Sequence, residues 1–106
     1  MKRNASKYKI IKMHCNECFE IRYELEEVWG FTYPEYPQLF IYDDVNYFNV
    51  IDVVTGLTIQ FYKTLINAER GLEACYNSLL NHKDEFPDKY IKNVEWRKLK
   101  LKELER

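Results

Sequence analysis

Glycine and proline are scarce, three of each in 106 residues. Three scattered glycines cannot build the loop that cradles a nucleotide's phosphates. So few prolines argue against a disordered linker or an extended proline-rich tract. Long apolar runs are missing as well. Nothing approaches the ~20 residues that cross a bilayer, and Ile10-Ile11 is the longest apolar run of the basic N-terminal stretch. Neither a membrane span nor a secretory signal is expected. Cysteine is limited to three residues, an odd number, so reduced thiols in a cytoplasm are the expectation. There are only two histidines, His14 and His82, and no repeat or low-complexity tract divides the chain. One domain spanning residues 1–106 follows, able to bury about two thirds of the surface of its unfolded chain.

Aromatic residues, by contrast, are plentiful: nine Tyr, six Phe and two Trp. They either fill a core or populate a binding surface. The net charge of −1 hides a segregated pattern. Lys2, Arg3, Lys7, Lys9 and Lys12 make the first twelve residues basic. Residues 13–60 hold nine acids against Arg22 alone, and the last eighteen residues are basic again.

An α+β fold is expected, with a three- or four-stranded antiparallel sheet packed by two C-terminal helices. Tyr8–Met13 and Gln38–Tyr42 read as strands. Residues 47–63 read as a hairpin turning at Thr55-Gly56, with Gly56 at a position of positive φ. In its second strand Leu57, Ile59 and Phe61 should point inward and Thr58, Gln60 and Tyr62 outward. Residues 16–29 are ambiguous. Phe19, Ile21, Tyr23 and Leu25 alternate as in a strand, yet Cys18, Ile21, Leu25, Val28 and Trp29 share one helical face. Glutamate content, Asn16 as a cap and Gly30 as a stop favour a helix. Thr64 should cap a helix with an apolar stripe of Leu65, Ala68, Leu72, Cys75 and Leu79, where Gly71 lets the helix approach the sheet. Pro87 should open a last helix running to the C-terminus.

The stretch His14-Cys15-Asn16-Glu17-Cys18 carries the only metal-like spacing. Zinc wants four ligands in a tetrahedron, and a second pair is missing. Cys75 and His82 are seven residues apart on one helix, so they do not converge on one ion. Cys15 and Cys18 read as small hydrophobic residues near the edge of the core. Neither a catalytic nucleophile with its base nor a calcium loop is present, so no enzymatic activity and no cofactor is expected.

The acidic middle reads differently. Glu24, Glu26, Glu27, Glu35, Asp43 and Asp44, with Trp29, Tyr33 and Tyr36, would form one exposed acidic, aromatic surface. Such a surface fits a basic cleft on a protein partner, including one built to hold nucleic acid. In size, charge and order of elements the chain resembles small phage-borne inhibitors, anti-CRISPR proteins among them. That resemblance implies a non-enzymatic inhibitor docked on a host nucleic-acid enzyme. Two alternatives stand beside it. One is weak nucleic-acid binding through the basic ends, the Met1–Lys12 arm with Lys98, Lys100, Lys102 and Arg106. The other is a small metal module using His14, Cys15 and Cys18, with zinc shared across a homodimer.

Overall fold

The computed structural model describes residues 2–105. Five strands, β1 (Asn4–Cys15), β2 (Ile21–Thr32), β3 (Leu39–Asp43), β4 (Phe48–Asp52) and β5 (Thr58–Tyr62), form one antiparallel sheet in chain order. Three helices follow: α1 (Leu65–Arg70), α2 (Leu72–Glu85) and α3 (Pro87–Leu104). The α+β class is as expected, with five strands in place of three or four. No helix among the described residues is long and apolar enough to cross a membrane.

The expected helix over residues 16–29 does not form. Each of the twelve residues of β2 has a partner in β1, and the glutamates of β2 face cations there. Cross-strand charge pairs of this kind offset the poor strand preference of glutamate. Asn16 does act as a cap, but of a turn: its Oδ1 accepts from the backbone N–H of Cys18 and of Glu20. Phe19, at the end of that turn, sits at φ 60.

Register assigns every side chain to a face, because directly opposed residues point the same way. Leu39, Ile41 and Val50 point toward the helices and join Tyr33, Ala68, Leu72, Cys75, Leu79 and Tyr90 in the main core. Phe40, Tyr42, Asn49 and Ile51 point to the opposite, outer face. Phe40 and Ile51 are buried there too, with the Tyr8 ring 5.4 Å from Phe40.

Two local departures from sequence expectation have clear causes. A register shift at Val50/Ile51 breaks the alternation of β5. Phe61 consequently lies opposite Asn49 on the outer face and is exposed, while Tyr62 packs on the core. Gly71 divides the first expected helix into α1 and α2, capped at its start by Thr64. A Cβ at Gly71 would strike the Tyr62 ring, so the glycine permits the close approach expected of it. Gly56 has φ 74, as its turn requires.

The long β1–β2 hairpin outruns the rest of the sheet, since β2 pairs with β3 only through Gly30, Phe31 and Thr32. The C-terminal half of α3 supports it. Arg97, 7% exposed, donates from Nη2 to the Lys9 carbonyl oxygen at 2.9 Å and lies over the Tyr8 ring. Trp96 meets Tyr23 edge-on, and Lys9 pairs with Glu105 at 2.9 Å. Arg97→Ala is expected to cost about 2–3 kcal/mol, from the lost charge-assisted bond and the lost cover over Tyr8. Urea denaturation checks this. A midpoint unchanged from wild type would mean that α3 does not hold the hairpin.

Candidate interaction surface

The acids of β2 do not share one face. Glu24 and Glu26 have the parity of Gly30, which lies opposite Tyr42, and so belong to the outer face. Glu27 and Trp29 point to the other side, where Lys7 pairs with Glu27 at 3.3 Å and lies over the Trp29 ring. Adjacent positions on a strand diverge, which a search for acidic clusters along the sequence overlooks.

Tyr33 does not belong to an exposed surface. It is 1% exposed, and its hydroxyl donates to Glu69 at 2.7 Å. Glu69 also takes two hydrogen bonds from Arg3, at 2.8 and 3.0 Å. Burial alone would raise the Glu69 carboxyl; the hydrogen bonds from Arg3 and Tyr33 outweigh it and hold the group below its ordinary value. Tyr36 is half-buried against the core with its ring 5.6 Å from Tyr76, and Glu35 is exposed in the loop before β3.

Asp43 and Asp44 build the β3–β4 turn. Asp43 accepts from the Val45 N–H, and Asp44 accepts from the N–H groups of Asn46 and Tyr47 and from Asn49 Nδ2. The hydrogen bond from Asn49, followed by those from the backbone, holds the Asp44 carboxyl below its usual range. The Asn49 bond also places Asp44 on the outer face.

Tyr42 lies at the centre of what is assembled. Burial raises its hydroxyl pKa, the negative charges of Asp44 and Glu26 add to this, and Lys12 opposes it. Glu26, Asp44 and Lys12 therefore lie close enough to act on Tyr42, and Glu24 follows two residues before Glu26 on the same face. On the same face the Tyr47 and Phe61 rings meet at 4.8 Å with their planes tilted by 59°, both partly exposed. Lys12 pairs with Glu26, and His14 meets Glu24 at 3.0 Å, so part of the negative charge is compensated locally. Phe61 escaped sequence reasoning because the register shift in β5 is invisible in hydrophobic alternation.

His14 and Cys15 are consecutive strand residues and point to opposite faces. Among the described residues no three His, Cys, Asp or Glu side chains are grouped to hold an ion. Cys15 and Cys18 are exposed, not tucked against the core; Cys75 is buried as expected.

A cleft of about 300 Å³ opens between the β4–β5 turn, α2 and α3, lined in part by Asp52, Ser78, His82 and Tyr90. His82 is half-buried here with its ring 5.5 Å from Phe86. Asp52 is buried at the cleft floor, and its carboxylate accepts from the Val54 N–H, Thr55 Oγ1 and Tyr90 Oη. Burial and this bond push the Tyr90 hydroxyl up to about 12. Each hydrogen bond of Asp52 ties down its own turn or α3, which is a structural role. Compared with protein-family models, curated proteins and solved structures, the chain matches none of them.

Proposed function

We propose that the protein is a non-enzymatic interaction module whose outer sheet face docks on a basic surface of a protein partner. One observation carries this reading: the strand register and the Asn49–Asp44 hydrogen bond put Glu26 and Asp44, acids from two separate elements, on the same face as Tyr42 and the tilted Tyr47–Phe61 pair. Aromatic residues of this kind supply the centre of an interface, and the surrounding charge supplies steering and orientation. A basic cleft on a nucleic-acid enzyme of the cytoplasm, as the phage-borne inhibitors use, is the partner class that best fits this chemistry.

The basic ends offer less support for nucleic-acid binding. Arg3, Lys7, Lys9 and Lys12 already pair with carboxylates, and phosphates would have to displace them. Charge and ring changes test the docking reading together. In a pull-down from host lysate, Glu24→Lys/Glu26→Lys should reduce recovery of the partner about tenfold, and more at low salt. Tyr47→Ala/Phe61→Ser should reduce it at every salt concentration. A partner recovered equally by all three proteins rules out this face.

A further inference from the structure

We propose that a second surface, at the far end of the β1–β2 hairpin, joins two copies of this chain. It lies away from the outer face and does not depend on the docking proposed above. Met13 and Tyr23 are directly opposed on the side of the hairpin that faces α3, and Cys15 and Ile21 form the next pair toward the tip. Tyr23 meets Trp96, and Leu99 follows Trp96 by three residues, almost one helical turn. Met13, Ile21, Trp96 and Leu99 flank this Tyr23–Trp96 contact and are all exposed, and Phe19 at the hairpin tip is 85% exposed. Five side chains of this size expose on the order of 500 Å², near the upper end for a monomer's largest patch. A standard interface needs about 800 Å² from each partner, and a polar rim supplies the remainder.

Charge selects the occupant and its orientation. The tip carries Glu17 and Glu20, both exposed, and neither has an ion pair among the described residues. Across the patch, Lys92 lies one turn before Trp96 on the same side of α3, and Lys102 follows three residues after Leu99, farther round the helix. Lys100 and Glu103 of that stripe pair with each other, and Glu95 is its one remaining acid. A twofold axis running between tip and helix lays the acidic tip of each copy over the basic stripe of the other. The alternative twofold axis sets tip against tip and repels. A self-complementary patch with opposite charge at its two ends is what a closed, symmetric pair requires.

Sedimentation equilibrium of the full chain under reducing conditions tests this. The expected result is a mass near twice the 13.0 kDa of one chain at micromolar to millimolar concentration. Ile21→Glu should yield monomer while circular dichroism stays that of wild type, because Ile21 is already in solvent. Glu17→Lys/Glu20→Lys should weaken association about tenfold at low salt, and adding Lys92→Glu/Lys102→Glu should restore it. Wild-type protein monomeric throughout this range would overturn the proposal and leave the patch to a different partner. So would a dimer indifferent to Ile21→Glu, or a charge swap that restores nothing.

Discussion

Replacing Asp52 by alanine is expected to lower stability by about 4 kcal/mol, enough to consume much of the margin of a domain this small. The carboxylate is 1% exposed and receives three donors, from Val54, Thr55 and Tyr90. Truncation leaves all of them in a site where water does not replace the lost acceptor. The turn after β4 would loosen, and α3 would lose the bond that fixes Tyr90 over the sheet. Tyr90→Phe removes a single donor while the carboxylate keeps two others, so a loss of about 1 kcal/mol is expected. Denaturant titration of the two variants checks the ratio. Equal losses would mean that the network acts only through Tyr90.

The second large effect comes from a position with no side chain. Gly30 lies opposite Tyr42, where β2 meets β3, and the Phe40 ring occupies the space over it. A Cβ there would overlap both that ring and the Ile41 carbonyl oxygen, which is fixed backbone. Gly30→Ala should therefore cost about 3 kcal/mol, despite the better strand preference of alanine. Pairing Gly30→Ala with Phe40→Leu should recover part of the loss, since the smaller side chain leaves room on the outer face. Thermal unfolding of the single and double variants decides it. A double variant whose loss equals the sum of the two single losses would place the clash at the carbonyl alone.

Legibility in the sequence follows the range of the physics. The β4–β5 hairpin and the apolar stripe from Leu65 to Leu79 are readable because each depends on neighbours a few residues away, although the faces taken by Phe61 and Tyr62 are not. Gly56 and Thr64 took the roles their local chemistry dictates. Residues 16–29 were not readable, because helix and strand patterns coexist there and the deciding partners lie on β1. The lysines that face Glu26 and Glu27 resolve the ambiguity only once the strands are side by side. The acidic surface was readable in composition and not in direction. Glu26 and Glu27 are neighbours in sequence and occupy opposite sides of the sheet. Tyr33 was misplaced for a related reason. Its amphipathic ring suits an interface as well as a core, and its partner Glu69 is 36 residues away.

The attachment of α3 to β1 has a consequence for biosynthesis. Arg97 and Glu105 hold Lys9, so a strand is secured by residues 88 and 96 positions later in the chain. Before α3 has been made, the hairpin is anchored by its three-residue junction with β3, by the Tyr8 ring on Phe40 and by Arg3 on Glu69, and its outer half has no support. The Tyr23 side of that outer half therefore stays open until α3 emerges, and during this interval the newborn chain offers it to chaperones and proteases.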